Sequence, residues 1–163
     1  MKIVMSVINS YKVFSNEHIT VNISDIVFQS WQDNRQLKLG DSEKFGVLIG
    51  SRSVEDSIYW VEECSTPKSN DNATRTSFQL KDPEHQNIVD ISYQKSGGEL
   101  GYIGTWHTHP QLVPTPSLID INDWNNCISR NFDRVLLFSI VGQLMTYIFV
   151  QENENYFRLE LRN

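Results

Sequence analysis

The chain has 163 residues, 39% hydrophobic and 21% charged, which is the balance of one soluble globular domain rather than of a disordered or membrane-embedded chain. A net charge of −6 without any Lys/Arg block argues against a nucleic-acid or anionic-membrane surface, both of which need a basic footprint. The opening residues carry no long apolar run and no small-residue cleavage site, and no segment approaches the roughly 20 apolar residues of a membrane span, so a cytoplasmic protein is expected. Cys64 and Cys127 are expected to remain two buried thiols.

In chain order, residues 2–7 and 18–22 read as short strands rich in β-branched residues. Ser24 is placed to cap a helix running to about Leu37, with Ile26, Val27, Phe28 and Trp31 on one broad apolar face. Residues 45–50 and 57–63 read as a β-hairpin, and the polar stretch 65–77 as a flexible surface loop. Asp82 and Pro83 then open a helix that Gly97-Gly98 stops after about Ser96. Residues 100–106 form a strand leading into His107, a helix follows from about Ser117 to Asn131, and 134–141, 144–150 and 156–161 are the last strands. The sum predicts an α/β (α+β) domain spanning residues 1–163, with three helices on a mostly antiparallel sheet.

Residues 107–120 carry the chemistry. In an extended segment, residues two apart project to the same side, so His107 and His109 present both imidazoles to one point. A carboxylate arriving on the next helix completes a three-ligand set with one open position, the pattern of catalytic zinc. Each piece has a plainer reading by itself. Two strand histidines can be satisfied by hydrogen bonds, Ser117-x-x-Asp120 is a helix-capping arrangement, and Glu43 is a solvated surface charge. His18 and His85 read as ordinary surface or boundary histidines, and Trp124 as core packing beneath the site.

Taken together, His107-Thr-His109-Pro followed by Ser117-x-x-Asp120 resembles the signature of the JAMM/MPN (JAB) zinc metalloproteases. Upstream, Glu43-Lys-Phe-Gly46-Val-Leu48-Ile-Gly50 is similar to that family's glutamate and glycine-bearing strand, and Trp106 and Trp124 resemble its prokaryotic branch. The resemblance covers nearly the whole chain. It implies a cytidine-deaminase-like curved sheet flanked by helices. It also implies a Zn2+ ion held by His107, His109 and Asp120, with Glu43 as acid/base for the zinc-bound water and Ser117 as oxyanion helper.

The implied activity is hydrolysis of the amide bond after the C-terminus of a conjugated protein. The implied partner carries an extended C-terminal tail, either a ubiquitin-like modifier or the cyclic-nucleotide synthase of CBASS antiphage operons, beside which several stand-alone bacterial members sit. Neither a nucleic acid nor a membrane is an expected partner. The alternatives are a non-catalytic MPN scaffold, disfavoured because all five motif residues are present, and a JAB peptidase that processes a bacterial ubiquitin-like or sulfur-carrier protein.

Overall fold

A computed structural model describes residues 10–163 apart from 54 and 56; the strand expected over 2–7 lies outside them. The elements are β1 (Tyr11–Ser15), β2 (Thr20–Ser24), α1 (Asp25–Asp33), β3 (Phe45–Ser53), β4 (Ile58–Cys64), β5 (Asn72–Ala73), β6 (Phe78–Gln79), α2 (Glu84–Lys95), β7 (Gly101–Thr108), α3 (Leu118–Arg130), β8 (Leu137–Val141), β9 (Thr146–Glu152) and β10 (Asn155–Leu161).

The expected helix-flanked curved sheet, with its cytidine-deaminase-like architecture, is not what forms. Eight strands close into a barrel in the order β1-β10-β9-β8-β7-β3-β4-β2; only the mixed α/β content of the expectation stands. The closing element is β1, which the sequence reading left between two expected strands. It pairs antiparallel with β2 along its whole length and with β10 through Phe14 opposite Leu161. Closure gives both sheet edges a partner, which an open sheet leaves unsatisfied. Strands β2 and β4 pair in parallel, as do β7 and β8.

Period-2 alternation then sorts the side chains. Phe14, Val21, Ile23, Leu48, Val61, Trp106, Leu137, Ile148 and Leu159 fill one cluster, to which α1 adds Val27 and Trp31. On the outer face, α3 lays Trp124 and Cys127 on Phe138, Ile140 and Phe149, while α2 lays Val89 on Val47 and Ile49. Strand β7 lies between β3 and β8, so α2 and α3 stand on either side of it. Trp124 stacks on Phe138, with ring centroids 4.9 Å apart, in the packing role expected of it.

Three local features fix these elements. Ser24 caps α1 by accepting the Val27 N–H, as its residue type and place predict. Asp82 accepts the Glu84 N–H at the start of α2. The two glycines of the β3 motif sit where strands come too close for a side chain. A Cβ at Gly46 would overlap the Ser65 carbonyl, and one at Gly50 the Trp60 carbonyl.

The stretch 65–77 is not a featureless loop. It contains β5, which pairs with β6 in a two-stranded hairpin, and it is tied down by His85. His85 is 2% exposed rather than a surface histidine. Its Nε2 meets Asp71 Oδ2 at 2.6 Å and its Nδ1 meets Ser65 Oγ at 2.6 Å. Cys64 and Cys127 are both free thiols. No helix among the described residues is long and apolar enough to cross a membrane.

Candidate metal centre

The end of β7 carries His107, and two residues on the same side of the extended chain comes His109. Their Nε2 atoms lie 3.0 Å apart, and both residues are buried. The backbone is held from two sides: Thr108 N–H donates to the Lys44 carbonyl and His109 N–H to the Val141 carbonyl. After Pro110 the chain turns, and the Gln143, Leu144 and Met145 N–H groups bond the carbonyls of Gln111 and Leu112, fixing the loop that delivers Ser117 to the start of α3.

Ser117 and Asp120 form a reciprocal capping box. Ser117 Oγ accepts the Asp120 N–H at 3.1 Å, and Asp120 Oδ2 accepts the Ser117 N–H at 2.8 Å. The capping reading is therefore correct, and it coexists with a second geometry. Asp120 Oδ1 lies 3.1 Å from His107 Nε2, and Oδ2 lies 3.0 Å from His109 Nε2. Burial works against the charge on Asp120, but the His107 and His109 rings and the Ser117 N–H outweigh it and hold the carboxyl far below the usual range.

Glu43 enters from the residue pair before β3, its N–H donating to the Thr74 carbonyl at 2.7 Å. It is buried, and its Oε1 stands 4.0 Å from His109 Nε2. Burial pushes its pKa up to about 8; His109 opposes the rise and Asp120 adds to it. Two carboxylates thus share the pair of imidazoles. Glu43, His107 and His109 place ligand-type atoms within 4.8 Å of one another, but Asp120 is about an ångström closer to His109.

The donor set fits a small divalent ion. Gln111 Oε1 lies 2.9 Å from His109 Nδ1 and also takes the Thr115 N–H, so a proton sits on Nδ1 and Nε2 is the atom turned inward. Nε2 faces a second imidazole and an ionised carboxylate, a grouping suited to a cation. Its spacings of 3.0–3.1 Å are near those of neighbouring ligands on one tetrahedral ion with bonds of about 2.0–2.1 Å.

Residues 30–160 match the family described as prokaryotic homologs of the JAB domain. The chain belongs to that family. This JAB domain is 34% identical over 128 residues to a "CD-NTase/cGAS isopeptidase" of Escherichia coli (strain TW11681), covering 78% of each chain. It is 35% identical over 120 residues to a protein of the same name from Vibrio cholerae serotype O1, covering 74% of each. A third so named, from Pseudomonas aeruginosa, is 30% identical over 129 residues, covering 78% of this chain and 80% of that one. In fold, it is similar to the solution structure of a protein from Desulfitobacterium hafniense, with a TM-score of 0.60 at 21% identity, covering 86% of this chain and 90% of that one.

The JAB domain brings all five residues singled out in the sequence to one place. Glu43, His109 and Ser117 line a pocket of about 360 Å³ beside the imidazoles. Three neighbours were not singled out. Gln111 fixes the His109 tautomer, and its position two residues along the same extended chain was a readable signal. Phe78 lies between Phe45, at 4.5 Å, and His107, at 5.1 Å, and nothing local in the sequence marks it. Gln36, fully buried, came from a stretch read as the end of a helix. A larger cleft of about 830 Å³ contains none of the candidate ligands; it runs between α2 and α3 over Tyr102 and Thr105, and Phe78 belongs to both its wall and the ring stack on His107.

Proposed function

We propose that this JAB domain is a zinc-dependent isopeptidase that hydrolyses the amide bond after the C-terminus of a conjugated protein. The observation that carries the reading is the convergence of His107, His109 and Asp120 within 3.0–3.1 Å, with the buried Glu43 one step farther out at 4.0 Å. His107, His109 and Asp120 would hold Zn2+, which supplies a Lewis acid and makes water nucleophilic near neutral pH.

Glu43 is then the general base and acid. Its carboxylate takes a proton from the attacking water and returns it to the leaving amine, so that water adds across the broken C–N bond to give a carboxylate and an amine. Ser117 Oγ already accepts the Asp120 N–H, which leaves its own O–H free to donate to the oxyanion that develops on the substrate carbonyl.

The relatives' name points to the substrate class, a CD-NTase joined to another protein; attachment through its C-terminus and cleavage in the cytoplasm as part of antiphage defence are what the family resemblance adds to this reading. The cleft between α2 and α3 suits an extended tail. Phe78 and Gln79 of β6 form part of its wall, where a substrate strand gains main-chain hydrogen bonds by β-augmentation. The last residues of the tail are small, so that the scissile bond reaches the narrow pocket lined by Glu43, His109 and Ser117.

The test is a bacterial CD-NTase fused through its C-terminus to a reporter protein. Cleavage at the junction that a chelator abolishes supports the reading. An intact CD-NTase fusion beside efficient cleavage of a ubiquitin-like fusion moves the enzyme to the processing of that modifier. No cleavage of either, by a zinc-loaded protein that binds the fusion, makes it a scaffold.

A further inference from the structure

Gln36 is 0% exposed, an uncommon place for a glutamine, and every polar atom of its side chain is engaged. Its Nε2 donates to the Asp41 carbonyl at 3.1 Å and to the Arg75 carbonyl at 2.9 Å. Its Oε1 accepts the Thr108 hydroxyl at 2.8 Å. That same hydroxyl accepts the Lys44 N–H at 2.9 Å. Gln143 Nε2 closes the set by donating to the Gln36 carbonyl at 2.6 Å.

The two ends of this chain of hydrogen bonds are the reacting parts of the site. Lys44 follows Glu43, and Thr108 lies between His107 and His109. The Lys44 and Thr108 backbones are also joined directly, Thr108 N–H donating to the Lys44 carbonyl. Thr74, whose carbonyl takes the Glu43 N–H, lies beside Arg75, whose carbonyl takes the Gln36 amide. Three segments distant in sequence therefore meet on one buried amide: the residues before β3, the turn between β5 and β6, and the histidine strand β7. A side chain oriented only by exposed or water-competed contacts would not keep the 4.0 Å spacing of Glu43 from His109.

We infer that Gln36, acting through the Thr108 hydroxyl, is a positioning residue that sets the Glu43 carboxylate against the His107–His109 pair. The inference rests on Glu43 being the acid/base of the proposed reaction. The hydrogen bonds of Gln36 go to Asp41, Arg75, Thr108 and Gln143 rather than to a candidate ligand, and its effect is transmitted through main-chain placement of residues 43–44 and 108.

The decisive variant is Thr108→Val, which keeps the side-chain shape and removes both hydroxyl bonds; Gln36→Leu is made beside it as a second variant, and the fold of each is checked first. Three quantities are read on the zinc-loaded protein: zinc content, kcat and KM for the CD-NTase fusion, and hydrogen-exchange protection of the Lys44 amide. The expected result for Thr108→Val is unchanged zinc, unchanged KM, kcat lower on the order of ten- to a hundredfold, and fast exchange at Lys44, with Thr108→Ser restoring both kcat and protection. Wild-type kcat together with a protected Lys44 amide in Thr108→Val overturns the inference, as does loss of zinc in that variant, which would mean that the hydroxyl holds the ligands rather than Glu43. Should the wild type leave every fusion intact, the isopeptidase reading fails on that result alone, and Lys44 exchange in Thr108→Val against Thr108→Ser still decides whether the hydroxyl fixes this backbone.

Discussion

Ser117 and Asp120 bind each other twice, side chain to backbone in both directions, and the carboxylate so fixed is the one that faces both His107 and His109. The helix cap and the candidate ligand are one structure: the Ser117 N–H orients the Asp120 carboxylate while the Ser117 hydroxyl starts the helix that carries it.

Ser117→Ala removes the hydroxyl and leaves the Ser117 N–H bond to Asp120 intact. Loss of the cap costs about 1 kcal/mol of stability. Loss of the oxyanion donor lowers kcat on the order of a hundredfold. Chemical denaturation and steady-state kinetics on the same preparation check the two parts. A variant that is less stable yet turns over as fast as wild type would leave Ser117 as a cap only.

Asp71 gives a pH dependence of stability. Burial raises its pKa, but the N–H groups of Asp82, Lys68 and Lys81 and the His85 ring outweigh this and lower it to about 2. A carboxyl depressed on folding stabilises the protein above its unfolded value, and that contribution is lost as pH falls through the folded one. Asp71→Asn is therefore less stable at pH 7, on the order of 1–2 kcal/mol, and the gap from wild type closes between about pH 4 and pH 2. Urea unfolding of both chelated proteins at pH 7 and pH 3 reads this; a gap of equal size at both values would show that Asp71 acts through packing rather than charge.

Gly46→Ala tests the close approach of β3 to Ser65. The added methyl meets the Ser65 carbonyl and costs about 1–3 kcal/mol. Gly101→Ala, where the new Cβ meets only open space, stays within about 0.5 kcal/mol of wild type. Equal thermal stability of the two variants would remove the steric account of this motif glycine.

Most of the candidate site was legible because its spacing is local. His107 and His109 need only an extended backbone to converge, and Ser117 and Asp120 only one helical turn. What was not legible depends on partners far along the chain. Barrel closure rests on Phe14 meeting Leu161, and nothing in the short segment around Tyr11–Ser15 announces that pairing. His85 reads as a surface histidine until Asp71 and Ser65 are brought against it, and the run of polar residues over 65–77 hides a hairpin held by that contact. Gln36 has no sequence signal at all, because its value lies in carbonyls supplied by Asp41 and Arg75.

Zinc content reports on the ligand set itself. Glu43 and Asp120 both approach His109, so the measurement is made on wild type, His107→Ala and Glu43→Gln purified with zinc and dialysed alike. One zinc per chain is expected in wild type and in Glu43→Gln, the latter inactive, and almost none in His107→Ala. Full zinc in His107→Ala would remove His107 from the ligand set, and loss of zinc from Glu43→Gln would make Glu43 a ligand instead of the base.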